Sequence, residues 1–158
     1  MRQSLREIIR KRDDFRCCYC RVCESYVGSK LTIDHFMPQC DGGNDTEDNL
    51  LYCCHACNEY KGTYWTTEPD SQLLNPRTDN MEEHFNENVK GVLVARTARG
   101  KNHIRVLNLN RDELIKNRVI KRHYANLEEK NRAAETYLED LDQTLQDIVD
   151  QIKIELDL

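Results

Sequence analysis

The sequence predicts an α+β fold: a small unit of two strands and a helix braced by cysteines, then a short β-hairpin extension and a long C-terminal helix. Three observations carry this expectation. Two Cys-x-x-Cys pairs, Cys17/Cys20 and Cys54/Cys57, stand 33 residues apart and bracket two short apolar runs, 31–33 and 50–53. A Gly42-Gly43-Asn44-Asp45 turn separates those runs. From Tyr124 onward, apolar residues recur in alternating steps of three and four. Four thiolates from two knuckles form the closed tetrahedral set that structural zinc prefers. Such an ion contributes folding energy to a unit too small to bury enough apolar surface alone.

Residues 2–14 place Leu5, Ile8 and Ile9 at helical spacing and predict a short helix leading into the cysteines. FRCCYCRVC reads as a knuckle, because closely spaced thiolates must turn to face one metal. Its register stays open: Cys20 and Cys23 are also Cys-x-x-Cys, and Cys18 and Cys53 are adjacent alternatives, whereas Cys40 lies in a loop. Residues 31–33 form a strand. The Gly-Gly-Asn-Asp turn tolerates positive φ, residues 50–53 return, and 55–61 form a helix stopped at Gly62. Residues 66–77, with Pro69 and Pro76, read as loop. GVLVA (91–95) and HIRVL (103–107) flank TARG and predict two strands joined by a Gly-containing turn. Helix follows from Arg111.

In the tail, Tyr124, Asn131, Leu138, Leu145 and Ile152 fall at heptad position a, and Leu127, Ala134, Leu141 and Ile148 at d. An Asn at a with Leu elsewhere favours a defined two-stranded pairing. The organisation is therefore a core over 1–65, an extension with hairpin and basic stripe over 66–123, and an acidic heptad helix for association over 124–158.

At 158 residues, with 39% hydrophobic and 32% charged residues, the chain suits one soluble domain with a modest core. No stretch approaches the roughly 20 apolar residues that span a bilayer. The opening MRQSLREIIRKRDD lacks the apolar segment of a secretory signal. With that signal missing, eight cysteines point to metal ligation in a reducing compartment rather than to disulfides, and the cytoplasm is the expected location. The net charge of -5 conceals a division. Residues 126–158 hold ten acids and three bases, whereas residues 95–122 hold nine bases and two acids. A local basic stripe, not net charge, attracts a polyanion.

Asp34 and His35 directly follow the run LTI. Neighbours on an extended chain point to opposite sides, so one can hold a metal while the other faces a water. An imidazole, with an ordinary pKa of about 6.5, is a suitable general base near neutral pH. Asn58, just past the last cysteine, can offer its carbonyl oxygen to the same ion. One carboxylate and one amide leave that ion several waters, as Mg²⁺ prefers. Asn49 is placed to orient His35 through its other ring nitrogen.

In their order, CCYC, the DH pair, GG, N-L and C-x-x-C-N-x-x-K-G resemble the HNH endonucleases, in the zinc-knuckle subgroup with the ββα-metal fold, over residues 16–62. The resemblance implies Asp34 and Asn58 as ligands of a catalytic Mg²⁺ or Mn²⁺, His35 as general base and Asn49 as its orienting residue. It also implies Cys17, Cys20, Cys54 and Cys57 as zinc ligands, and Lys61 on a substrate phosphate or in packing. His55, between the late cysteines, departs from the pattern and reads as a helix-surface residue. More loosely, residues 73–111 look like extensions of bacterial HNH proteins, some of them in anti-phage modules such as Septu or retron systems. That likeness implies cutting of foreign DNA, with an ATPase among the candidate partners. His84 and His103 lie in this extension and read as packing or strand residues.

The expected function is hydrolysis of DNA phosphodiesters with low sequence specificity. Lys61, Arg96, Arg99 and Lys101 would meet the phosphates, and the C-terminal helix would join a second copy or another protein. The alternative is a non-catalytic zinc module that binds nucleic acid or a partner.

Overall fold

The computed structural model describes residues 3–155, so Arg2 and the last three residues of the expected helices lie outside it. Its first helix, α1 (Gln3–Arg12), fully buries Ile9 and packs Leu5 against the core. The helix ends where Asp14 and Phe15 take positive φ, and the chain turns into the first cysteine knuckle. Within the knuckle, Cys17 N–H donates to the Val22 carbonyl and Arg21 N–H to that of Cys17. A short helix, α2 (Glu24–Val27), then closes on Gly28 in the left-handed conformation. Glu24 ties three elements together. Arg10 of α1 donates to it from Nε at 2.9 Å, and the Tyr52 hydroxyl donates to it at 2.7 Å.

Strand β1 (Thr32–His35) pairs antiparallel with β2 (Leu50–Cys53), with Asp34 opposite Leu51 and His35 opposite Leu50. Asp34 and His35 therefore occupy the end of the strand rather than the residues after it. Every residue of β2 is buried, so this strand is the centre of the core. Helix α3 (His55–Lys61) starts on Cys54, whose sulfur accepts from Cys57 N–H, and stops at Gly62 with φ 51°. Leu31, Leu50, Leu51, Tyr52, Leu107, Leu109 and Leu114 fill the space around this hairpin and helix. Burying each leucine contributes roughly 1.5–3 kcal/mol relative to leaving it in water.

The extension differs from expectation in one element. Its hairpin is formed by β3 (Phe85–Glu87), directly after the short helix α4 (Met81–His84), and β4 (Leu93–Ala95). HIRVL, expected as the second strand, belongs to α5 (Ala98–Val106). Thr97 caps that helix, its hydroxyl accepting from Gly100 N–H at 3.0 Å, so TARG is a helix start and not a turn. Gly100, His103 and Leu107 are buried at steps of three and four, which a helix face satisfies and a strand does not. A Cβ on Gly100 would lie 2.1 Å from the His84 carbonyl oxygen, so only glycine lets α5 approach α4 this closely. His103 sits against Phe85 with rings 6.0 Å apart, and its Nδ1 accepts from Leu74 N–H at 3.1 Å. Burial lowers its pKa to about 3, which fixes it as a neutral packing residue.

Helix α6 (Asp112–Glu155) is 44 residues long, roughly 66 Å. The chain divides within it into two units, 1–116 and 117–158. In the second unit the seam residues Tyr124, Leu127, Leu138, Leu141, Leu145, Ile148 and Ile152 are all exposed. Among the described residues no helix is long and apolar enough to cross a membrane.

Candidate active site

Two features meet on the β1–β2–α3 unit: a four-thiol cluster and a polar cleft. The Sγ atoms of Cys17, Cys20, Cys54 and Cys57 all lie within 4.8 Å of one another. A tetrahedron built on Zn–S bonds of about 2.3 Å has edges of about 3.8 Å, and Cys20 and Cys54 stand 3.6 Å apart. The donor set fits zinc. Backbone N–H groups of Cys20 and Cys57 point at the sulfurs of Cys17 and Cys54, at 3.5 and 3.4 Å. Arg111 donates to Cys57 Sγ at 3.7 Å while lying over the Tyr60 ring, placing a positive charge beside the thiolates.

Of the alternatives that spacing leaves open, the structure gathers Cys17, Cys20, Cys54 and Cys57, and the nearby cysteines have further partners. Cys18 donates to Asp13 at 3.0 Å, Cys53 to the Cys54 carbonyl at 3.3 Å, and Cys23 accepts from Ser25 at 3.1 Å. Burial pushes Cys18 up to about 12, so it stays a thiol. Asp13 is raised by its burial, but hydrogen bonds from Arg12, Cys18, Arg77 and Tyr52 N–H outweigh that and hold it a carboxylate.

The cleft, about 370 Å³, is lined by Ile33, Asp34, His35, Gln39, Asn58 and Thr63 among others. Strand alternation turns Asp34 inward, where it is buried, and leaves His35 partly open to solvent, with 22% of its side chain exposed. Asp34 Oδ2 accepts from Tyr19 Oη at 2.7 Å and Oδ1 from Lys61 Nζ at 3.2 Å. Burial raises the Asp34 pKa, and the nearby Lys61 charge and Tyr19 hydrogen bond only partly oppose it. Two of the four lone pairs of a carboxylate are thus committed and two remain. Asn58 makes no side-chain hydrogen bond among the described residues, so its carbonyl oxygen is available on the same cleft. A carboxylate oxygen and an amide oxygen together suit a hard divalent cation.

His35 Nε2 meets Asp45 Oδ1 at 2.6 Å, and Gln39 donates to the same oxygen at 3.1 Å. The hydrogen bond from His35 lowers the Asp45 pKa. Asp45 thus makes the ring contact expected of Asn49. The Asn49 side chain instead clasps the loop after β1: Oδ1 accepts from Met37 N–H at 2.8 Å, and Nδ2 donates to the Met37 and Asn44 carbonyls at 3.0 Å each. Phe36 N–H donates to the Asn49 carbonyl, so Asn49 also holds the residue that follows His35. Gly43 belongs to the same clasp, because a Cβ there would fall 1.8 Å from the Met37 carbonyl oxygen.

Residues 17–74 match the HNH endonuclease family model. No curated protein and no solved structure gives a significant match. Within the HNH segment Lys61 is only 3% exposed, its ammonium also donating to the His35 carbonyl at 2.7 Å. It is turned to the strand rather than to a ligand in solvent. Of the other expected phosphate contacts, Arg99 is committed to Asp79 at 2.8 Å and to the Leu73 carbonyl at 3.1 Å. Arg96 holds the Glu82 carbonyl at 2.8 Å from an exposed position, and Lys101 is exposed. His55 is exposed beside Glu59 at 3.3 Å. Asp45 and Tyr19 escaped the sequence reading. One lies in the turn and the other between the first cysteines, where spacing speaks only for the glycines and thiols around them.

Proposed function

We propose that this protein is a divalent-cation-dependent endonuclease that hydrolyses DNA phosphodiester bonds with little sequence specificity. The observation that carries the reading is the convergence of Asp34, His35 and Asn58 on one open cleft beside a zinc-type cysteine cluster. Asp34 and Asn58 would hold Mg²⁺ or Mn²⁺, which when bound supplies positive charge to a phosphoryl group and a leaving oxygen. His35 removes a proton from the attacking water. With Nε2–H donated to Asp45, the lone pair lies on Nδ1, and the carboxylate stabilises the imidazolium that forms. Tyr19 and Lys61 fix the Asp34 carboxylate from behind, and Asn49 fixes the loop that carries Asp45 toward His35.

Arg96 and Lys101, exposed on the extension, are the surface cations offered to backbone phosphates, contacts that position a strand without reading its sequence. The exposed heptad seam supports association of α6 with a second copy, which would pair two nicking centres into a double-strand cutter. The likeness of the extension to anti-phage nucleases supports foreign DNA as the target, and an ATPase is one candidate partner in that setting.

The test is conversion of supercoiled plasmid to nicked or linear form on adding Mg²⁺ or Mn²⁺. Asn58→Ala should lower the rate by at least tenfold at low Mg²⁺ and recover partly at high Mg²⁺. Cleavage independent of both the ion and Asn58 would refute the site.

A further inference from the structure

A second cavity of about 280 Å³ has no part in the hydrolysis. Its walls include Phe36, Trp65, Gln72, Thr78, Asp79 and Arg99. Phe36 directly follows His35 in sequence and Tyr64 follows Thr63, so the two chain segments that line the cleft run on into the wall of this cavity. Phe36 and Trp65 meet edge to face, with centroids 5.8 Å apart and planes at 88°. Both rings are only partly buried. Phe36 also packs against the core, so the pair is held from one side while part of its aromatic surface stays open at the cavity wall.

The rest of the wall is polar. The Asp79–Arg99 ion pair forms part of it, and Arg99 Nε is buried without a hydrogen-bond partner among the described residues. Gln72 and Thr78 add amide and hydroxyl groups. Aromatic surface plus a polar edge is what a nucleobase needs: a face to stack on, and donors and acceptors for its Watson–Crick edge. The volume is just below the ~300–1,000 Å³ usual for ligand pockets and suits one base rather than a stretch of strand. Inside a duplex, a base cannot present its face to such a wall.

We propose, building on the nuclease reading, that this cavity receives one unpaired base of the nucleic acid whose backbone lies across the Asp34–His35–Asn58 cleft. The preferred substrate is then a single-stranded segment, and Trp65 and Phe36 are its stacking residues. Positioning falls to the base, so a strand held only by its phosphates would sit less well against His35.

Trp65 is the chain's sole tryptophan, so its fluorescence reports this cavity alone. The full-length zinc-loaded protein is titrated, without added Mg²⁺ or Mn²⁺, with a single-stranded oligonucleotide, the same oligonucleotide made abasic throughout, and a duplex of equal length. Saturable quenching by the base-bearing single strand, with at least fivefold weaker effect from the other two, is expected. Equal quenching by the abasic strand or the duplex, or no quenching at all, overturns the proposal. In parallel, anisotropy of a labelled single strand should show Trp65→Ala binding roughly 5- to 150-fold more weakly, with Trp65→Phe close to the parent. Trp65→Ala binding as well as the parent would also overturn it. These readouts need no cleavage, so an inert protein that still shows base-dependent quenching refutes the nuclease reading and leaves the base pocket standing.

Discussion

At the scale of single residues, the site is set by what each polar group must be paired with. Burial raises the Asp34 pKa, Lys61 and Tyr19 oppose it in part by each taking one lone pair, and the residue lines the cleft with two lone pairs uncommitted. His35 gains a defined tautomer from Asp45, a residue 10 positions away that only the closure of the loop brings near. His103 shows the opposite use of an imidazole. Its Nδ1 must stay unprotonated to accept from Leu74 N–H, and burial lowers its pKa from the usual 6.5 to about 3. The unfolded chain takes up a proton as pH falls through 6.5 whereas the folded chain does not, so stability present above that pH is lost between about 6.5 and about 3. Between pH 7 and pH 5 the loss is about 2 kcal/mol. Urea unfolding of the wild type and His103→Gln at both values, with zinc in excess, checks this. The stability gap between the two proteins should shrink by that amount at pH 5, and an unchanged gap would remove the role assigned to the buried ring.

Among the elements, the ββα unit is the part most legible in sequence, and the reason is local. A Cys-x-x-Cys spacing has few geometric solutions, Gly42 and Gly43 mark a turn, and β2 reads as an apolar run because all four of its residues are buried. The extension was less legible. HIRVL is rich in β-branched residues, a strand signal, but the Thr97 cap and the burial of Gly100, His103 and Leu107 on one face decide for helix. Packing outweighs intrinsic preference there. Contacts across the loop, such as Asp45 to His35 and Asn49 to Met37, depend on a closure that no spacing announces. With zinc bound, the cysteine site would carry much of the stability of its unit. Structural zinc in small domains supplies on the order of 10–16 kcal/mol at neutral pH, as much as the roughly 5–15 kcal/mol net stability of a typical domain. One zinc per chain by elemental analysis, with loss of near-ultraviolet circular dichroism on treatment with a strong chelator, is the expected result. A chain that stays folded without zinc would contradict it.

For the whole molecule, the two units divide the work by charge and surface. The first presents the segment that matches the HNH endonuclease model and the exposed cations of the extension. The second is an acidic helix whose apolar seam is exposed along the single chain. Seven large apolar side chains in heptad register are costly to leave in water, and in the proposed dimer a second helix with the same register would cover them. In that pairing Lys130 at g would face Glu135 at e of a parallel partner, and Asn131 at a would align with its own copy. Light scattering of the full chain should therefore give twice the chain mass, falling to one chain when residues 126–158 are removed. A monomer in both forms would refute self-association and would leave the protein a nickase.

In the proposed reaction His35 withdraws the proton from the water that cuts a phosphodiester. Plasmid nicking in Mg²⁺ by the wild type and by His35→Ala, purified alike and matched in zinc content, puts that role to the test. A loss of at least a hundredfold in rate with zinc and fold intact is the result predicted. Nicking by His35→Ala at the wild-type rate, or no ion-dependent nicking by the wild type on plasmid or single strand, would contradict it.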